Sequence, residues 1–209
     1  ELLCIDLDNT LIASEKAHAL AYNLALKNNG FKEVKFNRMV QLFGRPNLAV
    51  ARILTRSKDN KVIKKVTEDH YKFLGLKWVN KIKAFPGVKP TLIRLKKRYN
   101  IAVISNTSHR SIVNLLKGAK LERRLFNIFV GNDDVKKSKP WPDEILKAQK
   151  LLDHHAKFMI GDSIYDVIAG KRAHVKTIAV TSGRYSREQL RKHNPDYIIT
   201  KFKDILKIV

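Results

Sequence analysis

From residue 85 to its end the chain alternates short apolar runs with helical stretches, and this alternation limits the fold more than any other feature. Apolar runs at 101–105, 128–131, 157–161, 177–180 and 197–199 are separated by helical patterns at 88–98, 109–117, 142–152, 164–173 and 186–193. Short strands joined by helices form parallel β-α units. The run Leu2-Leu3-Cys4-Ile5 adds a strand to the same sheet. Nothing between residues 12 and 83 reads as a strand. Ser14 is placed to cap a helix running to about Lys27, with Leu20 and Leu24 on its apolar face, and Asn28-Asn29-Gly30 stops it. Further helical stretches cover 35–43, 48–54 and 61–74; Gly44-Arg45-Pro46 breaks the first from the second, and 76–83 stays undecided. The expected architecture is α/β: a Rossmann-like parallel sheet core with helices on both faces (1–12 and 85–209) and an inserted all-helical cap domain (13–84).

The 209 residues are 44% hydrophobic, enough for a real core. The single cysteine, Cys4, sits inside an apolar run; no disulfide can form within one chain, and Cys4 reads as a small buried residue. No apolar stretch approaches the roughly 18 residues of a membrane span, and no signal peptide is visible. The expectation is a cytoplasmic protein with no membrane partner, monomeric or homodimeric. The formal charge of +23 raises the question of nucleic acid. Residues 13–83 carry 16 Lys+Arg against 5 Asp+Glu and the remainder 26 against 14, so the excess is spread over both regions. The densest groups, Lys64-Lys65, Lys96-Lys97-Arg98 and Lys136-Lys137, read as solvated surfaces, which makes nucleic acid the minority partner.

Polar groups cluster where the predicted strands end. Asp6 and Asp8 lie two apart at the end of the first, and alternation along a strand points both the same way. Carboxylates that close repel unless one is protonated or both face a cation; a solvated turn is the competing reading. The second strand ends in Ser105-Asn106-Thr107, which either binds a ligand or caps the following helix. Lys139 precedes Pro140 in a segment that Pro140 and Pro142 stiffen. Asp162 and Asp166 open a helix on one face, where they could also simply complement its dipole. Open α/β sheets bind ligands at their strand carboxyl ends. Oxygen-only ligands without a His or Cys cluster favour Mg²⁺.

These residues, in this order, resemble the haloacid dehalogenase superfamily, and the resemblance spans essentially the whole chain. Its first motif stands here as Asp6-Leu7-Asp8-Asn9-Thr10-Leu11, its second as Ser105, its third as Lys139-Pro140 and its fourth as Gly161-Asp162-Ser163-Ile164-Tyr165-Asp166. Asn9 stands where glycine is more frequent, an accepted variant. The helical insertion matches a C1-type cap, and Phe85-Pro86-Gly87-Val88 and Lys137-Ser138-Lys139-Pro140-Trp141-Pro142-Asp143 are similar to phosphoglycolate-phosphatase-like members.

The resemblance implies a Mg²⁺-dependent phosphatase for a small phosphorylated substrate. Asp6 would be the nucleophile that forms an aspartyl-phosphate, and Asp8 the general acid and base. Asp6, the Asp8 carbonyl and Asp162 would hold the metal with Asp166 in support, and Ser105, Asn106 and Lys139 would hold the phosphoryl oxygens. Asp8 argues against a dehalogenase, because that branch lacks this carboxylate. Gly44 and Arg45 stand where such caps carry a specificity loop, although a plain surface turn reads equally well. The alternatives are a nucleotidase, a sugar-phosphate phosphatase, a β-phosphoglucomutase-like phosphotransferase and, from the positive charge, a nucleic-acid-end phosphatase.

Overall fold

The computed structural model describes all residues 1–209. Strand β1 (Leu2–Asp6) leads into β2 (Ile12–Ala13), then helices α1 (Glu15–Asn28), α2 (Phe36–Met39), α3 (Asn47–Thr55) and α4 (Asn60–Phe73). After β3 (Lys83–Ala84) come α5 (Val88–Leu95), β4 (Asn100–Ser105), α6 (His109–Gly118), β5 (Ile128–Gly131) and α7 (Asp143–Leu152). The chain ends with β6 (Ala156–Gly161), α8 (Ile164–Arg172), β7 (Lys176–Val180), α9 (Arg187–Arg191) and β8 (Tyr197–Ile199). The alternation therefore holds, with element ends shifted by a few residues.

Six strands form one parallel sheet in the order β5-β4-β1-β6-β7-β8. Strands covered on both faces need apolar side chains on both, and β1 is buried at every position. Its odd residues, Leu3 and Ile5, join Ile101, Val103, Phe158 and Ile160 in the cluster that also holds Leu92 of α5 and Ile112, Leu115 and Leu116 of α6. Its even residues, Leu2 and Cys4, join Ala102, Ile104 and Met159 under Ile145 and Ala148 of α7 and Ala169 of α8. Helices thus cover both faces, as expected. Cys4 is buried, which pushes its thiol up to about 12 despite Lys139 nearby. The strand order reverses at β1, so a crevice opens at the carboxyl ends of β1, β4 and β6.

Residues 15–81 add no strand to this sheet. Tyr22, Ala25, Leu26, Met39, Val50, Ile63 and Val66 form a separate apolar cluster among these helices. Two sequence expectations need correction here. Ile12–Ala13 pairs antiparallel with Lys83–Ala84 where the chain leaves and rejoins the sheet, so the segment does contain strand. These pairs are too short to carry a periodic signature. In α1 the buried face is Ala17, His18, Ala21, Tyr22 and Ala25, whereas Leu20 is 40% exposed. Small residues prevail because α1 is wedged between two clusters, Ala17 and Ala21 against the sheet domain and Tyr22 and Leu26 against the other helices.

Candidate active site

The crevice is built from strand ends. Asp6 is the last residue of β1, and the chain then turns through Asn9, which sits in the left-handed region (φ 58°) that asparagine tolerates and glycine accepts freely. This turn aims Asp6 and Asp8 into the same crevice, but into different surroundings.

Asp6 faces cations and carboxylates. Lys139, buried, donates from Nζ to Asp6 Oδ1 at 2.6 Å and to Asp166 Oδ1 at 2.7 Å. Thr10 Oγ1 lies 3.0 Å from Asp6 Oδ2 and 3.2 Å from Asp162 Oδ1. Asp166 Oδ2 accepts from the Ser163 amide and hydroxyl, so Asp166 stands behind Lys139 rather than at the cavity surface. Asp6, Asp162 and Asp166 each bring a carboxylate oxygen within 4.8 Å of the others. One lysine against three carboxylates leaves an anionic cluster. Burial pushes Asp6 up to about 7, with Lys139 pulling down and Asp166 and Asp8 adding to the rise. Burial and then the Asp6 and Asp166 charges hold Asp162 well above the usual carboxylate range. Lys139 is held above the ordinary lysine value because its carboxylate neighbours outweigh the cost of burial. The donor set is all oxygen, buried and short of positive charge, which fits a hard divalent cation such as Mg²⁺.

Asp8 looks the other way. Its Oδ1 accepts from Ser14 Oγ at 2.6 Å and lies 3.1 Å from His18 Nε2, while Oδ2 accepts from Ser105 Oγ at 3.3 Å. Burial acts to raise its pKa, but the His18 charge and hydrogen bond and the Ser14 hydroxyl outweigh it and bring it below the usual range. His18 Nδ1 is 3.0 Å from His70 Nε2, and the His70 ring stacks on Tyr22 with centroids 3.8 Å apart. Burial, with the His18 charge adding, keeps His70 far below the usual histidine value and therefore neutral. His18 Nε2–H donates to Asp8, and the other His18 ring nitrogen, Nδ1, is the one that meets His70 Nε2. His70 Nδ1 is buried without a partner.

Ser14 occupies the N-cap position of α1 yet makes no capping bond, because its hydroxyl is committed to Asp8. Ser105 is not a cap either: Ser108 caps α6. Asn106 Nδ2 donates to the Lys139 carbonyl (3.0 Å) and, across to the helical segment, to the Gly44 carbonyl (2.8 Å). Gly44 has φ 86°, and a Cβ there would lie 3.1 Å from the Tyr165 ring. Asp6, Asp8, Ser105, Asn106, Lys139, Asp162, Gly44 and Arg45 all line one cavity of about 60 Å³. Arg45 is exposed at its rim.

Thr10 entered the sequence reading only inside a motif and Ser14 only as a helix cap, while His18, His70, Glu144 and Arg184 escaped it. Ser14 and His18 carried a usable signal, since residues four apart on a helix share a face. Glu144 carried none. It is fully buried, its Oε2 accepts the Lys139 backbone N–H at 2.8 Å, and burial pushes it up to about 8 against the pull of Lys139.

A sequence profile of haloacid dehalogenase-like hydrolases matches residues 3–180. The chain is 31% identical over 207 residues to the pyrophosphatase PpaX of Oceanobacillus iheyensis, an alignment covering 96% of this chain and 90% of that one. A haloacid dehalogenase-like hydrolase structure from Bacteroides fragilis superposes with a TM-score of 0.90 at 25% identity, covering 98% of both chains. A predicted phosphoglycolate phosphatase from Haemophilus somnus superposes with a TM-score of 0.88 at 25% identity, covering 99% of this chain and 96% of that one.

Proposed function

This chain belongs to the haloacid dehalogenase-like hydrolases that act on phosphate esters, and we propose that it is a Mg²⁺-dependent phosphatase working through an aspartyl-phosphate on Asp6. The observation that carries the reading is the opposite settings of two carboxylates from one strand end: Asp6 against Lys139, and Asp8 against Ser14 and His18.

Asp6 attacks phosphorus, and the bond to the leaving-group oxygen breaks. Asp8, ionised in the free protein, takes up a proton as the anionic ester binds beside it and gives that proton to the leaving-group oxygen. Water then attacks the phosphorus of the acyl phosphate; Asp8, now ionised, takes the water's proton, and inorganic phosphate leaves with Asp6 regenerated. Ser14 and His18 hold the Asp8 carboxyl in place through both halves. Lys139 neutralises charge on the phosphoryl oxygens, Ser105 and Asn106 orient them, and Asp166 and Glu144 hold Lys139. Asp6, Asp162 and the Asp8 backbone carbonyl would hold Mg²⁺, whose charge lets an anionic nucleophile approach an anionic ester.

Residues 13–84 act as a cap that hinges at the β2–β3 pair and shuts water out on closure. Crystal structures with and without a phosphate mimic test this; identical positions of the helical segment in both would refute it. The cavity is small, about 60 Å³, which favours small esters over nucleotides or nucleic-acid ends. Phosphate release from a panel of esters, with and without Mg²⁺ and beside Asp6→Asn, tests the function. Turnover that persists in the variant or without any divalent cation would overturn it.

A further inference from the structure

The catalytic groups form only the floor of the cavity. One wall comes from the loop after β7, where Arg184 and Tyr185 line the space beside Asp162. That loop is pressed against the site: a Cβ on Gly183 would sit 1.8 Å from Asp162 Oδ2, so only glycine fits. Arg184 follows directly and is thereby held next to the carboxylate cluster. Its Nη1 donates to the Val40 carbonyl of the helical segment at 2.6 Å. Its Nε is buried with no hydrogen-bond partner, and no carboxylate lies within ion-pair distance of the guanidinium.

A buried, unsatisfied donor on a permanently charged group costs free energy unless a ligand uses it. The guanidinium fork matches a carboxylate or phosphate and little else at this size. A second guanidinium, Arg45, stands at the same rim, and the Arg184 guanidinium lies over the Tyr185 ring, 4.8 Å from its centroid. Burial and Tyr165 push the Tyr185 hydroxyl up to about 12 while Arg184 and Arg45 pull it back. Glu15 lines the same cavity and is half-buried. Its Oε1 has no partner, and its carboxyl, raised by burial, is partly lowered by the Arg184 charge. Two guanidiniums against one carboxylate leave this part of the cavity cationic beyond what the phosphoryl group itself uses.

We infer that Arg184 is the specificity-determining residue for the leaving group, and that the substrate is a small phosphate compound whose leaving group carries a second anionic group, a carboxylate or a phosphate, bound by Arg184 with Arg45 at the rim. The inference rests on the phosphatase reading and deepens it. The same guanidinium grips the helical segment at Val40, so the anion and the closed arrangement share one anchor. A leaving group without an acid leaves the Arg184 donor unpaired, and discrimination follows from that loss.

The test compares kcat/KM for pyrophosphate, phosphoglycolate and ethyl phosphate in the wild type, Arg184→Gln, Arg184→Lys and Arg45→Gln. The wild type is expected to prefer pyrophosphate or phosphoglycolate to ethyl phosphate by about ten- to a hundredfold. Arg184→Gln collapses that ratio toward one, chiefly through KM, and Arg184→Lys restores part of it. Which acid is preferred identifies carboxylate or phosphate. A wild-type ratio near one overturns the inference. So does a ratio unchanged in Arg184→Gln, or one lost only in Arg45→Gln. An equal fall for all three compounds also overturns it, since that marks a structural tie to the helical segment alone.

Hydrolysis of none of the three would count against the phosphatase reading rather than against Arg184, and calorimetric binding of phosphonates then decides the role of Arg184 by itself. Phosphonoacetate or methylenediphosphonate should bind the wild type more tightly than methylphosphonate, and Arg184→Gln should erase the difference. Equal binding of all three by the wild type, or a difference that survives in the variant, overturns the inference.

Discussion

The helical segment meets the sheet domain along two seams of opposite character. At its foot the contact is apolar: Ala17, Ala21, Leu74 and Ile82 share one cluster with Leu11, Ile12, Leu92 and Ile112. At its mouth, over the site, the contact is polar. Asn106 donates to the Gly44 carbonyl, Asn47 to the Asn106 carbonyl at 3.3 Å, Arg184 to the Val40 carbonyl, and His18 to Asp8. Apolar burial is lost outright when a seam opens, whereas water replaces most of a hydrogen bond's worth. On the proposed closure, the foot is the seam that stays shut and the mouth the one that opens. Catalytic groups accordingly sit on the seam that can exchange its partners for substrate and water.

Breaking the mouth at its chemistry has the largest effect. Asp6→Asn should lower turnover by about 10⁴-fold or more with the fold intact by circular dichroism. Removing the mouth contact to Asp8 comes next: His18→Ala should cut kcat by about a hundredfold and leave KM within a few-fold, measured with any hydrolysed ester. A fall in KM affinity alone would place His18 on the substrate instead.

The seams separate in stability. Leu74→Ala at the foot should cost about 2–5 kcal/mol by denaturant unfolding. Asn47→Ala at the mouth also removes the bonds to Tyr22 and Tyr71 and should cost about 1–2 kcal/mol. Equal losses would erase the distinction between them. Within the sheet domain, Glu144→Ala strands the buried Lys139 N–H and should cost about 1–3 kcal/mol, while Glu144→Gln keeps an acceptor and costs less.

The anionic cluster gives the smallest effect, and it depends on pH. Asp6 (to about 7) and Glu144 (to about 8) are raised above their unfolded values. Their contribution to stability is present below about pH 4 and is lost as pH rises through 7 and 8. Without divalent cations the Tm should therefore fall across that window. Mg²⁺ should raise Tm by a few degrees more at pH 8 than at pH 5, and Glu144→Gln should flatten part of the fall. A Mg²⁺ effect larger at pH 5 would contradict the cluster as a cation site.

Much of this was legible in the sequence because it depends on short-range rules. Strand period, helix breakers and the Asp6–Asp8 spacing act over a few residues. They placed the parallel sheet, the helical insertion and the polar strand ends, with Asp6, Asp8, Ser105, Lys139 and Asp162 now seen around one cavity. The reading failed where a side chain had two possible partners. Ser14 reads as a helix cap, and only the fold brings Asp8 to its hydroxyl; α1 reads with Leu20 inward, and only packing between two clusters turns His18 there instead.

The sequence by itself determined the sheet and the insertion, because local hydrophobic period specifies them, and its resemblance to a known family singled out Asp6, Asp8, Ser105, Lys139, Asp162 and Asp166. Only the tertiary structure decided that Asp6 and Asp8 differ, that Glu144 supports Lys139, that His70 backs His18 and that Arg184 stands beside Asp162. Each of these couples residues far apart in the chain across a buried space. There, burial and neighbouring charge, which no local pattern encodes, set both the contact and its protonation.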